Sequence, residues 1–106
     1  MAWRVARGRR ARARRDALAA ALERRLAGAL SFQVPPGGMA LWATARRGLD
    51  VDAWAARARA AGVIFSTGRE FALDGRPRPF LRLGYAQRSE GEIAEAVRRM
   101  EAALAR

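Results

Sequence analysis

Arg82 is the side chain with the clearest capacity for specific chemistry in this sequence. It lies in Phe-Leu-Arg-Leu-Gly-Tyr-Ala at residues 80–86, whose alternation predicts a strand in which Arg82 shares one face with Phe80 and Gly84. A planar guanidinium on such a face can hold a carboxylate through two parallel hydrogen bonds. The pattern leaves two interpretations open: Arg82 binds a ligand carboxylate, or it lies along a surface with its charge in water.

The composition excludes several other kinds of site. The 106 residues include no cysteine and no histidine, which removes disulfides, thiolate metal sites and histidine-based hydrolysis. All 21 basic residues are arginines. The adjacent Gly37 and Gly38 lack the spacing of a phosphate-binding loop and predict a turn. We therefore predict no catalytic, metal-ligating or cofactor-binding residue.

An arginine-rich segment at the start of the chain offers an alternative function. Arginine neutralises phosphates, so this arm favours a small basic nucleic-acid-binding protein as the second interpretation. Interleaved aromatics are almost absent from the arm and no groove-reading motif is recognisable, so sequence-specific recognition is not expected. A GC-rich coding sequence would also explain the net charge of +11. The arginines concerned are Arg4, Arg7, Arg9, Arg10, Arg12, Arg14 and Arg15.

The elements that must position Arg82 follow from periodicity and from turn residues. Strong helix formers predict a helix over residues 3–27, Asp50 and Gly62 delimit a second helix, and Ser89 with Glu92 forms a capping box for a third. Apolar alternation predicts that Trp42 and Trp54 belong to the core. The order α-β-β-α-β-β-α predicts one α/β (α+β) domain over residues 1–106, a small sheet covered by helices. The predicted strands are residues 31–34, 39–45, 63–66 and 80–86.

Several segments resemble, in order, the C-terminal small domain of fold type I (class I/II) aminotransferases, which depend on pyridoxal phosphate. The resemblance is carried by residues 80–86, by Pro-Gly-Gly-Met-Ala-Leu-Trp at residues 36–42, and by Thr-Gly-Arg-Glu-Phe at residues 67–71. It is nearest to the aminotransferase-like half of MocR-type regulators, which are GntR-family transcriptional regulators. One departure is Thr67-Gly68, where the family usually has Pro-Gly.

The resemblance implies a role for Arg82 and a set of partners. Arg82 would bind the α-carboxylate of an amino acid or 2-oxo acid substrate, and an ion pair with Asp74 or Glu70 would argue against that role. Pyridoxal phosphate would be held mainly by a large domain that this chain lacks, in a homodimer at full length. Residues 1–15 would be a basic helical arm, the truncated interdomain helix, with Trp3 packed against the large domain.

Activity and location follow from the same considerations. Fold type I catalysis needs a lysine for the Schiff base with the cofactor, and the chain has none, so transamination by this chain alone is not expected. No apolar stretch approaches the roughly 20 residues of a membrane span, so no membrane partner is expected. The predicted location is cytoplasmic.

Overall fold

A computed structural model describes the backbone of residues 2–104 and the side chains of residues 10–104. The described residues form three helices and four short strands, and a 3₁₀ turn precedes the last strand. In chain order these are α1 (Ala2–Leu26), β1 (Leu30–Phe32), β2 (Ala40–Ala45), α2 (Val51–Ala60), β3 (Ser66–Thr67), the 3₁₀ turn (Gly68–Phe71), β4 (Phe80–Gly84) and α3 (Glu90–Leu104).

The strands form one antiparallel sheet in the order β1-β2-β4-β3. β2 and β4 are the interior strands and pair from Ala40 opposite Gly84 to Thr44 opposite Phe80. Because side chains alternate between the faces of a strand, only every second residue reaches the core. The buried set from these two strands is Leu41, Ala43, Ala45, Leu81 and Leu83.

All three helices contribute to a core on that one side of the sheet. α1 packs along α3, and α3 also contacts α2. Leu22 and Leu26 of α1 join Val97 and Met100 of α3 in a single cluster with the buried strand residues. Full burial of each such side chain stabilises the fold by roughly 1.5–3 kcal/mol. None of the helices that the structure describes packs on the opposite side, which we call the open face.

Trp54 is the largest side chain of the core and connects α2 to α3. It is fully buried, and its indole Nε1 donates a hydrogen bond of 2.9 Å to the carbonyl of Met100. Its ring meets that of Phe65 edge to face, with 5.4 Å between centroids. The buried donor is therefore satisfied, and the aromatic surface is completely desolvated.

The helix ends carry the capping groups that the sequence predicts. Asp50 Oδ1 accepts a hydrogen bond of 3.0 Å from the amide of Ala53. Gly62 follows α2 at φ +90°, a conformation that side chains disfavour. At α3, Ser89 and Glu92 exchange bonds of 2.8 and 3.1 Å between side chain and backbone amide. These contacts satisfy amides that the helices leave without partners.

Most of the predicted organisation is confirmed, with one clear error. The order of helices and strands and the burial of Trp54 are as predicted. The prediction for Trp42 is wrong: 48% of this side chain is exposed, because it points to the open face. The predicted strand at residues 63–66 is wrong in its bounds: β3 shares only Ser66 with it and ends at Thr67. The side chain of Trp3 lies outside the described residues, and none of the described helices could span a membrane.

Replacement of Trp54 tests the importance of this core contact. Trp54→Ala should lower the free energy of unfolding by about 3–5 kcal/mol, because it opens a cavity between α2 and α3. Trp42→Ala is the matched control and should cost less than half as much, since that ring is already half in water. Urea unfolding followed by circular dichroism measures both. Equal losses would contradict the one-sided core.

The capping box of α3 predicts a pH dependence of stability. Hydrogen bonds from the backbone and side chain of Ser89, with smaller effects of Arg88 and Arg14, lower the pKa of Glu92 below its ordinary value. A lowered carboxyl pKa stabilises the fold above the unfolded-state pKa of about 4.3, and this contribution disappears as the pH falls through the folded-state value.

Thermal unfolding across pH checks this sign. Glu92→Gln should lower the melting temperature at pH 7, and the difference from the unchanged chain should shrink as the pH falls through the folded-state pKa of Glu92. Glu90→Gln is the control, because Glu90 lies in the same first turn and, within residues 10–104, its side chain makes no hydrogen bond. A Glu92 effect that stays constant as the solution is made more acidic would refute the assignment.

Candidate functional site

Arg82 lies at the centre of the open face. It is the middle residue of β4, opposite Trp42 of β2 on one side and Ser66 of β3 on the other. Its side chain is half-buried between these neighbours. Pairing on both sides holds the backbone of Arg82 in place, so the origin of its side chain is well defined.

The two acidic side chains considered as internal partners of Arg82, Asp74 and Glu70, are engaged elsewhere. Asp74 pairs with Arg78 at 2.9 Å and accepts a hydrogen bond of 3.0 Å from the amide of Arg76. These contacts lower the pKa of Asp74, and the bond from Arg76 has the largest effect. Glu70 accepts a bond of 2.7 Å from the amide of Thr67. Among residues 10–104, the side chain of Arg82 makes no ion pair or hydrogen bond. The internal pairs that would argue against a ligand role are therefore not formed.

Trp42 and Phe80 adjoin Arg82 on the open face, and Phe71 contacts Trp42. We call these three side chains, Trp42, Phe71 and Phe80, the aromatic cluster. The Trp42 ring lies 5.0 Å from that of Phe71, edge to face, and 5.7 Å from that of Phe80. Phe71 is 50% exposed, about as much as Trp42. Sequence reasoning missed this cluster, although the shared face of Phe80 and Arg82 was a partial signal.

The 3₁₀ turn positions Phe71 against Trp42. Arg69 anchors this turn, because its Nε lies 3.2 Å from Asp52 Oδ2 and its Nη1 donates to the carbonyl of Gly75 at 3.1 Å. Gly68 allows the turn to approach β4: a Cβ there would lie 2.5 Å from the Cβ of Arg78 and 3.1 Å from the Phe80 ring. The turn that begins at Thr67-Gly68 is therefore compact, with contacts to α2, to Gly75 and to β4.

The arginine-rich arm does not present all its charges in one way. Arg10 and Arg12 are exposed, whereas Arg14 donates to the carbonyl of Ala86. Arg15 pairs with Asp16 at 3.1 Å and donates to the carbonyl of Pro35 at the same distance. The side chains of Arg4, Arg7 and Arg9 lie outside the described residues. Two of the arginines are therefore used to attach α1 to neighbouring loops.

The chain's donor groups do not fit a complete cofactor site. With no lysine anywhere in the sequence, no side-chain amine can form an imine with an aldehyde cofactor. The described residues also contain no group of three or more histidine, cysteine, aspartate or glutamate side chains suited to a metal ion. The open face instead offers one guanidinium beside exposed aromatic surface, which suits an organic carboxylate.

Comparisons with known proteins agree on one family. The sequence model described as "Aminotransferase class I and II" matches residues 3–100. A 2-aminoadipate transaminase of Thermus thermophilus is 35% identical over 88% of this chain, and an aromatic-amino-acid aminotransferase of Thermococcus litoralis is 32% identical over 82%. The matches cover 23% and 21% of those two relatives.

A solved structure gives the same result. The α-aminoadipate aminotransferase of Thermus thermophilus, complexed with N-(5'-phosphopyridoxyl)-L-leucine, superposes with a TM-score of 0.82 and 34% identity. That match covers 92% of this chain and 25% of the solved one. Because the family match includes nearly all of the sequence and the fold agrees, this chain belongs to the class I and II aminotransferase family.

Proposed function

We propose that this chain is the C-terminal small domain of a pyridoxal-phosphate-dependent aminotransferase, in which Arg82 binds the α-carboxylate of the amino acid or 2-oxo acid. The observation that carries the proposal is the position of Arg82 on an interior strand of the open face, without an internal acidic partner. Family membership supplies the reaction class.

The surroundings of Arg82 suit a carboxylate in two respects. The flanking strands remove part of its hydration, which strengthens an ion pair with an incoming anion. The two-pronged geometry of a guanidinium also matches the two oxygens of a carboxylate and restricts its orientation. Arg82 would therefore hold the substrate in a defined position as well as attract it.

Catalysis would need groups from another segment or chain. The chain spans about a quarter of the relatives that it matches, and it has no lysine for the cofactor. The solved relative carries a phosphopyridoxyl-leucine adduct, which supports pyridoxal phosphate as the cofactor of the complete protein. We propose that a large domain supplies the lysine and lies opposite the open face, so that the substrate is held in a cleft between the two, and that the complete protein assembles as a homodimer in the cytoplasm.

The proposal has two further parts. The complete protein is nearest to MocR-type regulators, and residues 1–15 form its interdomain helix. The coding sequence immediately upstream would test both. An in-frame large domain with a Schiff-base lysine supports the aminotransferase assignment, and a GntR-type winged-helix segment ahead of it supports a regulator. A promoter directly before residue 1 would contradict the interdomain-helix interpretation.

Binding of pyruvate, the smallest 2-oxo acid with a side-chain carbon, tests Arg82 directly. Arg82→Gln should weaken binding about tenfold or more, since it removes a charged hydrogen-bond donor. Arg82→Lys should recover part of the affinity, because the charge returns without the two-pronged geometry. Nuclear magnetic resonance titration of the labelled chain measures each dissociation constant.

The matched control is Arg59→Gln, which removes the same charge from an exposed position on α2. It should leave the affinity for pyruvate unchanged. If Arg59→Gln and Arg82→Gln weaken binding equally, the positive charge of the whole chain attracts the anion, and the proposal for Arg82 fails.

The nucleic-acid alternative remains a prediction with its own test. If the arm binds DNA usefully, affinity should fall steeply with salt and differ between sequences. A salt-sensitive signal that is indifferent to sequence would leave only general polycation behaviour. The internal hydrogen bonds of Arg14 and Arg15 leave fewer side chains for that role.

A further inference from the structure

We infer that the aromatic cluster makes this site selective for substrates with an apolar, planar side chain. The inference rests on the proposed function, because it assumes that Arg82 holds the substrate carboxylate. It concerns Trp42 and Phe71 as specificity-determining residues, with Phe80 as their support. The class of ligand is an amino acid or 2-oxo acid with an aromatic or similarly flat apolar group.

Trp42 lies close to the position of a carboxylate bound by Arg82. Trp42 is the direct cross-strand partner of Arg82, and such partners have Cβ atoms about 4.5–5.5 Å apart. A carboxylate bound by Arg82 is separated from its own side chain by only a few bonds. The side chain of the ligand therefore lies within reach of the Trp42 ring.

Trp42 and Phe71 leave aromatic surface exposed on this face. About half of Trp42 and half of Phe71 remain in contact with water, although their rings are in contact with each other. Covering this surface with an apolar ring gains hydrophobic free energy, and aromatic rings add a favourable edge or offset contact. A polar side chain in the same place would lose hydration without a hydrogen-bonding partner on these rings.

The 3₁₀ turn holds Phe71 in place before a ligand binds. The Arg69 contacts to Asp52 and Gly75 fix the 3₁₀ turn on its outer side, and Gly68 brings it close to Phe80. Little side-chain or loop ordering is then left for the ligand to induce, which favours affinity.

Arg82 is the one charged residue among the described strand residues of the open face. A dicarboxylic ligand would find one cation among the described strand residues, since the guanidinium groups of Arg69 and Arg78 in the adjoining turn and loop already contact Asp52 and Asp74. The described strand residues of this face are Ser31, Ala40, Trp42, Thr44, Ser66, Phe80, Arg82 and Gly84.

Three 2-oxo acids that share the same carboxylate test the inference: pyruvate, 2-oxoglutarate and phenylpyruvate. By resonance titration of the chain, phenylpyruvate should bind about tenfold more tightly than pyruvate. The second carboxylate of 2-oxoglutarate should bring no such advantage. Trp42→Leu should reduce the ratio of phenylpyruvate to pyruvate affinity to about two, because the contact between aromatic rings is lost.

Two further variants keep the test decisive. Phe71→Ala removes the other exposed ring and should also reduce the ratio, so the inference can be tested even if Trp42→Leu does not fold. Leu73→Ala is the control: Leu73 is fully exposed in the loop that follows the 3₁₀ turn and belongs to no aromatic pair. It should leave the ratio as it is. Circular dichroism verifies that each variant is folded.

The possible failures are distinguishable. If all three acids bind through Arg82 with equal affinity, or if the preference for phenylpyruvate survives both ring variants, the selectivity inference is overturned and the carboxylate role stands. If Trp42→Leu changes only the self-association of the chain, measured by sedimentation, the cluster is a contact between copies and the inference is again overturned. If no acid binds, or Arg82→Gln changes nothing, both proposals fail.

Discussion

Burial of one sheet face beneath three helices is the constraint on which the rest of the molecule depends. Leu41 and Leu81 enter the core from the interior strands, and strict alternation then sends Trp42 and Arg82 to the other side. A shift in register by one residue would exchange these sets and bury a guanidinium. The same packing that stabilises the domain therefore determines which side chains remain for binding.

Local signals in the sequence predicted the parts of the fold that depend on neighbours along the chain. Asp50 and the Ser89–Glu92 pair could be recognised as caps because their partners are three residues away. Alternation in residues 80–86 likewise revealed the two faces of β4, so Arg82 was correctly separated from Leu81 and Leu83. Its freedom from Asp74 and Glu70 depended on loop geometry that spacing does not specify.

The features that sequence reasoning missed depend on contacts between distant segments. Both faces of β2 are apolar, so nothing in the strand itself reveals that helices cover only the face of Leu41 and leave Trp42 exposed. The aromatic cluster joins β2, β4 and the 3₁₀ turn, and the approach of Gly68 to Phe80 becomes visible only after folding. Arg14 and Arg15 looked like solvent-facing charges because their carbonyl partners lie beyond the helix.

The tight contact at Gly68 has a consequence for how such a site can diversify. Any larger residue there would collide with Arg78 and Phe80, so the path of the 3₁₀ turn is difficult to alter by single substitutions. About half of Trp42 and half of Phe71, in contrast, is exposed to water, and neither ring belongs to the buried core. Evolution can therefore exchange these rings at small cost to folding, so that recognition varies on a backbone that does not.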